Sequence, residues 1–363
     1  MELDLHKLLS LQSQISTTSS DAAADHEEGC RKIGAGACGA IFGVDGESMV
    51  FKLAKADQES LWNDFRMHKL VAESFRKWKS PKWKYTDVKV PACHYFVPQD
   101  DHLYFDKNPS LVEAAKETCN LPTSVLVSER IQPLSKPTRA LLIDKYCPPQ
   151  AKQMALNAAA NKDCLVRLYL GSLKGREERS FSLRNFKMHL DQMVELQLDI
   201  KELAGKMATA MAIMHWAAKT DARDIEFVLG SSPLKAVAEM SAEDYLNLPG
   251  PVYTGPPSRI HEDFFVRTTD LWLLDFNQVR QISMDEAGVA MAVEAIKLND
   301  PYIPKPLQRS KVQRQMWDEF VEQYLVAAHA ILREEPNYTQ VSGLPAMFIS
   351  GVIDLEKKKQ EKK

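Results

Sequence analysis

The sequence lacks the features that mark several common protein classes. Its six cysteines contain no C-x-x-C pair, and no H-E-x-x-H is present, so the usual signatures of structural zinc sites and zinc proteases are missing. No uninterrupted apolar run reaches the roughly 18 residues of a transmembrane helix. The net charge of −3 excludes a histone-like protein, although a local basic patch remains compatible with it.

The same absences predict a cytoplasmic protein. Scattered cysteines in a chain this long indicate reduced, partly buried thiols and not a disulfide framework. The first residues, MELDLHKLLSLQSQ, mix charges among the leucines, which is unlike a signal peptide.

A chain of 363 residues is near the upper size for one compact core. Strand patterns dominate its first third and helical patterns the rest, so we predict an α+β fold with two lobes. The predicted parts are a flexible N-terminal segment (1–28), a small β-rich lobe (29–135), a larger helical lobe (136–350) and a charged tail (351–363). Within the first segment, residues 4–14 are compatible with a short amphipathic helix.

Three glycines, Gly34, Gly36 and Gly39, form a G-x-G-x-x-G pattern. In dinucleotide-binding folds this pattern opens a helix, but here the strand-forming residues 40–42 follow it, so we predict a β-hairpin. A glycine hairpin of this kind lies over phosphates in kinases. The alternative is an ordinary hairpin that needs glycine for positive φ.

Lys52 lies between apolar residues of the next predicted strand. In a kinase-like lobe such a lysine pairs with an acid on the following helix, and Asp64 in the predicted helix 58–75 is the candidate. An isolated strand lysine is more often a solvated edge residue, which is the alternative here.

The most informative stretch runs from Ala222 to Leu229. A polar turn with Arg223 and Asp224 leads into a short apolar strand, as in a kinase catalytic loop. Asp224 and Glu226 are expected to share one site, where neighbouring carboxylates push their pKa values apart and suit proton transfer. The alternative is a helix C-terminal turn with solvated charges.

A second apolar strand, residues 271–274, is followed by Asp275 in the sequence Asp-Phe-Asn, similar to the D-F-G of kinases. We predict that Asp275 faces Asp224 across a groove between the lobes. The order of these motifs indicates a bilobal protein-kinase-like fold.

Three positions depart from the kinase pattern. Ala222 replaces the loop histidine, Leu229 the metal-binding asparagine, and Asn277 the last glycine of D-F-G. These replacements argue against ordinary phosphoryl transfer.

Cations alternate with aromatic residues in RKWKSPKWKY, residues 76–85. Such a stripe can neutralise RNA phosphates and stack bases, which predicts tRNA binding by five cations, Arg76, Lys77, Lys79, Lys82 and Lys84. The alternative is a solvated charge run after a helix.

Seven stretches between about residues 30 and 330 together carry a family resemblance: IGAGACGAIF, LWNDFRMH, CLVRLYLG, FSLRNFKMHLDQM, DARDIEFVLG, WLLDFNQVRQI and NDPYIPKP. They resemble a fungal family long labelled as a domain of unknown function, and sometimes as a zinc finger. Some members of that family are arginine-containing cyclodipeptide synthases.

The resemblance implies a transferase of secondary metabolism. It would take arginyl-tRNA and a second aminoacyl-tRNA as its partners and release a cyclic Arg-Xaa diketopiperazine, with no cofactor, metal, membrane or stable protein partner. The catalytic residues would be Asp224, Glu226 and Asp275. The substrate-binding residues would be Lys52, Asp64, Arg223, Gly34, Gly36 and Gly39.

One of Asp224 and Glu226 would act as the base, and the other would contact the guanidinium of arginine. The sequence leaves open which residue has which role. Two other functions fit the same motifs. One is a kinase-like phosphotransferase, and the other is a pseudokinase that acts as a binding module.

Overall fold

The structure, a computed structural model, describes residues 4–16, 29–36, 38–55, 58–79, 84–175, 181–233 and 266–362. Its strands are β1 Gln14–Ser16, β2 Cys30–Ala35, β3 Gly39–Val44, β4 Met49–Ala54, β5 Cys93–Val97, β6 Val125–Glu129, β7 Val166–Tyr169, β8 Phe186–His189, β9 Glu226–Pro233 and β10 Val266–Leu274. They form two five-stranded sheets.

The helices, in chain order, are α1 Leu5–Leu9, α2 Gln58–Trp78, α3 His102–Lys107, α4 Pro109–Ala115, α5 Lys136–Tyr146, α6 Lys152–Asn157, α7 Leu190–Glu195, α8 Ile200–Ala212, α9 Glu286–Asn299, α10 Lys311–Leu332, α11 Tyr338–Val341 and α12 Leu344–Glu361. The fold is therefore mixed α+β, as predicted. Within the described ranges, none of the helices has the length and apolarity needed to cross a bilayer.

The first sheet has the strand order β2-β3-β4-β6-β5, and every neighbouring pair is antiparallel. The predicted glycine hairpin is confirmed, because β2 pairs directly with β3. One face of this sheet buries Phe42, Leu53 and Val127 against α3 and α4. Side chains alternate along a strand, so Lys52, the neighbour of Leu53, projects from the opposite face.

Helix α2 packs next to β4, β5 and β6 of the first sheet. Its buried residues recur every three or four positions, the spacing of one helix face: Leu61, Asp64, Met67, His68, Val71, Ser74, Phe75 and Trp78. Asp64 is the one carboxylate on this face. The helix therefore turns Asp64 toward the interior, on the side from which Lys52 projects.

The second sheet has the order β1-β10-β9-β7-β8. Its central pair, β9 and β10, is antiparallel, and Leu274 lies opposite Glu226. Asp275 is the next residue after Leu274, so this register sets Asp275 beside Glu226. Strand β7 joins β9 on the other side and carries Arg167 opposite Val228.

Helix α8 continues beyond Ala212 as a π-helical turn over Ile213–Ala217. Met207, Met211 and Met214 are fully buried in the larger core. These methionines recur at helical spacing on one face, and that face packs into the core.

Both chain ends differ from the sequence predictions. Residues 1–28 were predicted to be a flexible segment, but within it the short helix expected at 4–14 is present as α1. Its Leu5, Leu8 and Leu9 are buried, and β1 pairs with β10. The amphipathic leucines bury enough apolar surface to hold this segment. The predicted tail at 351–363 belongs to α12 through Glu361, with Val352 in the core. Residues 17–28 lie outside the described part.

An ion-pair network joins the first sheet to the segment before β7. Arg31 on β2 contacts Asp45 at 2.8 Å and Asp163 at 2.6 Å. Arg130 contacts the same two aspartates at 3.1 and 3.5 Å, and Arg184 reaches Asp163 at 3.4 Å. We call these five residues the Arg31–Asp163 network. It fixes how the first sheet sits on the rest of the chain.

Candidate functional site

Lys52 lies between two carboxylates. Its Nζ is 2.5 Å from Asp64 Oδ2 and 3.0 Å from Asp275 Oδ1. Burial alone would lower the pKa of Lys52, but the charges of Asp64 and Asp275 raise it well above its ordinary value. Lys52 is therefore a fixed cation, and it joins β4 to α2 and to the end of β10. The contact between Lys52 and Asp64 is the one predicted from the sequence.

Helix α2 also holds the backbone that follows Asp275. The second carboxylate oxygen of Asp64 accepts a hydrogen bond from the Phe276 N–H at 3.3 Å. Asn63 donates its side-chain amide to the carbonyls of Asn277 and Val279, both at 3.0 Å. One turn of α2 thus fixes the position of the whole 275–279 segment.

Glu226 begins β9 and pairs with Arg167 of β7 at 2.9 Å. Burial raises the pKa of Glu226 to about 7; Arg167 opposes this rise, while the charges of Asp275 and Asp224 add to it. A carboxyl with a pKa near 7 exchanges protons readily at physiological pH, which is the property of a general acid or base.

Asp224 lies near Glu226 and Asp275, and burial together with the charge of Asp275 raises its pKa. Its Oδ2 accepts a hydrogen bond from Nε2 of Gln278. The structure therefore brings Asp224, Glu226 and Asp275 into one site, although they come from two separate chain segments. This grouping was the central prediction about the site.

Backbone strain is concentrated at the same place. Ala222, Asp224 and Asp275 have φ of 51°, 59° and 69°, in the left-handed region that non-glycine residues rarely adopt. Such conformations cluster at functional sites, where the surrounding structure holds them.

The site carries excess negative charge. It holds four carboxylates and two cations, namely Asp64, Asp224, Glu226 and Asp275 with Lys52 and Arg167. With all four carboxylates ionised, their charge exceeds that of Lys52 and Arg167 by two, and the charge of Arg223 at the edge of the site lowers this excess in part. The arrangement favours a ligand that brings a positive charge.

Arg223 lies at the edge of the site and was predicted to bind substrate. Its guanidinium is 3.9 Å from Glu294 of α9, and its charge lowers the pKa of Asp224 against the effect of burial. It is partly exposed, so it is accessible beside the carboxylate group.

The glycine turn lies next to Lys52. A β-carbon on Gly39 would come within 2.9 Å of the Leu53 carbonyl oxygen and 3.2 Å of Lys52 Cγ, so this position requires glycine for space. Gly34 and Gly36 do not have positive φ, so the alternative interpretation based on positive φ is wrong for this turn. The Gly36 N–H bonds the Gly39 carbonyl at 2.8 Å and closes the hairpin.

The basic and aromatic segment lies away from this site. Arg76 and Lys77 are exposed in the last turn of α2, and Lys77 pairs with Glu334 at 2.8 Å. Lys79 and Lys84 are also exposed. With about 1.5 Å of rise per residue, the end of α2 lies roughly 20 Å from Asp64. Lys82 lies outside the described residues.

A comparison with protein families finds a match for part of the chain. A family model described as a zinc finger protein (DUF3669) matches residues 271–336. No curated protein and no solved structure matches the chain.

The matched segment does not have the ligands of a zinc finger. It contains no cysteine and a single histidine, His329. Among the residues that the structure describes, no group of three or more His, Cys, Asp or Glu side chains could hold a metal ion. The site residues therefore do not fit a structural zinc ion.

The family resemblance inferred from the sequence is wrong. The family that matches is described as a zinc finger protein and not as a cyclodipeptide synthase, and the match covers under a fifth of the chain. Short motifs such as G-x-G-x-x-G recur in unrelated proteins, which explains how a resemblance built on them can mislead.

Two residues of the site were missed at the sequence level. Arg167 interrupts an apolar strand, and a charge in that setting requires a buried partner, so its pattern held a usable signal. Gln278 carried no such signal, because its role depends on the turn after Asp275 folding back toward Asp224.

Proposed function

We propose that this chain is a tRNA-dependent cyclodipeptide synthase, which joins arginine from arginyl-tRNA to the amino acid of a second aminoacyl-tRNA. The product is a cyclic Arg-Xaa diketopiperazine, a type of secondary metabolite. The proposal rests on the chemistry of the site and takes nothing from family membership. The observation that carries it is the buried carboxyl of Glu226, with a pKa of about 7, in a site with excess negative charge.

Glu226 suits the removal of a proton from an α-ammonium group. Free α-amino groups have a pKa of about 7.7–8.0, so a base with a pKa of about 7 is matched to this proton transfer near neutral pH. The aminoacyl ester of tRNA is already activated, so this reaction needs no ATP.

Asp224 and Asp275 suit the binding of the arginine side chain. A guanidinium presents paired N–H donors that match carboxylate oxygens, and a partly buried carboxylate strengthens such contacts. The unbalanced negative charge of the site would be neutralised by this cation together with the reacting ammonium group.

The bonds of the reaction can be followed atom by atom. Glu226 takes a proton from the α-ammonium of one aminoacyl group, and the free amine attacks the ester carbonyl of the other. As the C–N bond forms, the attacking amine loses a second proton and the ester C–O bond breaks. This second proton passes to the departing ribose oxygen of the tRNA, while the proton first taken by Glu226 is released to solvent. A second attack of the same kind, now within the dipeptidyl ester, closes the ring and releases the second tRNA.

The same residues support a bilobal kinase-like architecture. The first sheet would be the small lobe with its glycine turn, Lys52 and the Asp64 partner on α2. The second sheet and the remaining helices would form the larger lobe. The site would then lie in the groove between the lobes, where the two aminoacyl groups meet.

The basic segment at 76–85 supports a role in tRNA binding. Its exposed cations lie roughly 20 Å from Asp64 along α2, so they would contact the body of a tRNA whose aminoacyl end reaches the site. We place this reaction in the cytoplasm, where aminoacyl-tRNA is available.

The test is a direct assay with purified protein, pools of charged tRNA and radiolabelled arginine, followed by mass spectrometry. We expect a labelled diketopiperazine with wild type, and its loss in Glu226→Gln and Asp224→Asn. Glu294→Gln is the matched control, because Glu294 lies nearby but outside the carboxylate group. Absence of any arginine-containing cyclic dipeptide with every second amino acid would reject the proposal.

A second candidate is a kinase-like phosphotransferase, favoured by the position of Lys52 between Asp64 and Asp275 beside the glycine turn. In kinases a lysine of this kind binds the phosphates of ATP. Calorimetry with ATP and magnesium tests this directly. Binding that is lost in Lys52→Met favours the phosphotransferase, and no detectable heat of binding removes it.

A further inference from the structure

The loop that carries Asp224 is strained at two residues. Ala222 is fully buried with φ of 51°, and Asp224 has φ of 59°. Left-handed backbone is unfavourable at a residue with a β-carbon, so a specific contact must hold each of these residues in place.

Asn299 makes that contact. It is the last residue of α9, it is 1% exposed, and its side chain lies directly against the loop. The Asp224 N–H donates to Asn299 Oδ1 at 2.7 Å, and Asn299 Nδ2 donates to the Ala222 carbonyl at 2.6 Å. One amide thus satisfies a donor and an acceptor on the two strained residues.

The rest of the loop is held by other residues. Asp221, fully buried at its start, accepts hydrogen bonds from Arg280 Nε at 2.6 Å and from the Arg280 N–H at 2.9 Å. Gln278 contacts the carboxylate of Asp224 and not its backbone. Asn299, in contrast, bonds directly to the backbone N–H of Asp224 and the backbone carbonyl of Ala222, the two strained residues of this loop.

We propose that Asn299 is a positioning residue, whose side-chain amide holds the backbone of Ala222 and Asp224 so that the Asp224 carboxylate stands beside Glu226 and Asp275. Its effect on turnover rests on the function proposed above, whereas its effect on the loop does not. Nothing in the zinc finger description of the matched segment assigns this role to Asn299.

Two consequences follow from the geometry. Without the amide, the loop relaxes and the Asp224 carboxylate moves away from Glu226. Because the charge of Asp224 contributes to the raised pKa of Glu226, that pKa falls toward its ordinary value. A displacement of about 1 Å at a group that positions substrate costs roughly 100-fold in rate, so kcat/KM for cyclic dipeptide formation falls by about that factor.

An aspartate at this position gives a sharp test. A protonated carboxyl has one O–H donor and one free acceptor oxygen, which is the pattern of the asparagine amide, whereas the ionised form has acceptors only. Asn299→Asp is therefore expected to hold the loop at low pH and to release it as pH rises through the pKa of the new side chain.

Asn161 supplies the matched control. It is also buried, its Nδ2 donates to the Ala155 carbonyl at 2.8 Å, and its Oδ1 accepts from the Leu183 N–H at 2.7 Å. These contacts lie outside the carboxylate site. Asn161→Asp makes the same chemical change at a similar buried amide and is expected to leave Asp224 and Glu226 undisturbed.

The experiment follows the Asp224 amide signal and the Glu226 side-chain carboxyl signal by NMR across about pH 5–9, in wild type, Asn299→Asp, Asn299→Leu and Asn161→Asp. In Asn299→Leu we expect the Asp224 amide signal to be displaced from its wild-type position at every pH. We expect the Glu226 signal of this variant to titrate with a lower pKa than in wild type. The two signals of Asn299→Asp should coincide with those of wild type only at the acid end of the pH range. Those of Asn161→Asp should coincide with wild type at every pH.

A second substitution serves as the control for a loss of folding in Asn299→Leu. If Asn299→Leu does not fold, Ala222→Gly is added, because glycine accepts the left-handed conformation without its usual cost. The double variant is expected to regain its fold but not the wild-type pKa of Glu226.

The outcomes separate the two proposals. Unchanged Asp224 and Glu226 signals in folded Asn299 variants would overturn the role of Asn299, whatever the activity. Failure of wild type to make a cyclic dipeptide would remove the proposed function and leave the NMR result valid.

Discussion

Glu226 links proton binding at the site to the stability of the whole chain. Its pKa rises from 4.5 to about 7 on folding, so between these pH values the folded state binds more protons than the unfolded state. Stability from this group is therefore present at low pH and is lost as pH rises through about 7. The ion pair with Arg167 offsets part of the free-energy cost of ionising the buried Glu226 carboxyl, so Glu226 can still act as a base.

Glu226→Gln is expected to remove that pH dependence. The shift corresponds to about 3 kcal/mol of unfolding free energy lost between acid and neutral pH. Denaturant unfolding at about pH 5 and about pH 8 should show a smaller difference in the variant than in wild type. Glu113→Gln, an exposed site, is the control. Equal pH dependence in Glu226→Gln and wild type would contradict the burial of a titrating carboxyl.

Arg167 sets the working pH of Glu226. Its charge lowers the pKa of Glu226, so Arg167→Met is expected to raise that pKa above 7. The acid limb of the kcat/KM profile then moves to higher pH, and a shift of one unit lowers activity at acid pH about tenfold.

Arg167→Lys retains the positive charge and is the control for this prediction. Its acid limb should stay closer to that of wild type. A profile for Arg167→Met that superimposes on wild type would show that the ion pair does not tune Glu226.

Site residues differ in how visible they are in the sequence. Asp224 and Asp275 can be identified because each stands next to a short apolar strand, and a lone acid in that setting points to a site. Asn299 and Gln278 cannot, because an amide in a polar stretch has no local signature. Their roles arise only where distant segments meet.

At the scale of elements, the two ends of helix α2 have different roles. Near its first turns, Asn63 and Asp64 hold Lys52 and the segment after Asp275. At its other end, Arg76, Lys77 and Lys79 are exposed to solvent. A 21-residue helix is long enough to separate the two.

Charge reversal at Lys79, Lys82 and Lys84 tests whether the basic segment at 76–85 binds tRNA. The triple change to Glu is expected to raise KM for aminoacyl-tRNA, because each lysine lost from a phosphate contact lowers the salt slope of binding by about 1. The product-forming step should keep its kcat, since the site is roughly 20 Å away.

Lys358→Glu serves as a control, because Lys358 is an exposed cation at the end of α12. A KM that is the same in the triple variant and in Lys358→Glu at every salt concentration would place tRNA elsewhere on the surface.

The strands and long helices were the most predictable elements. Helix α2 was predicted over 58–75 and runs over Gln58–Trp78, because its apolar residues keep one face. Helix α1 lies within the predicted helical stretch 4–14. It has only five residues, so its stability comes from Leu5 and Leu9 packing into the larger core.

At the scale of the whole molecule, the Arg31–Asp163 network connects the first sheet to the segment before β7. Asp163 receives three arginines and is 7% exposed at its side chain. Removal of one partner from a buried ion pair leaves the others without compensation and costs more than the pair contributes.

Asp163→Asn is therefore expected to lower the free energy of unfolding by about 3 kcal/mol. Asp144→Asn is the control, because the Asp144 side chain is 76% exposed and its pair with Lys152 is worth under about 1 kcal/mol. Denaturant unfolding of both variants measures the difference. Equal stability of the two variants would show that the network is as dispensable as a surface ion pair.

The sequence by itself determined the local structure: which segments form strands, where glycine closes the first hairpin, and that Lys52, Asp64, Asp224 and Asp275 stand at marked positions of those segments. These features follow from alternation, helical period and turn chemistry, which act within a few residues. The tertiary structure decided the rest. It brought Arg167 to Glu226 and Asn299 to the Asp224 loop, because burial, long-range hydrogen bonds and charge balance depend on segments that meet only in the folded chain.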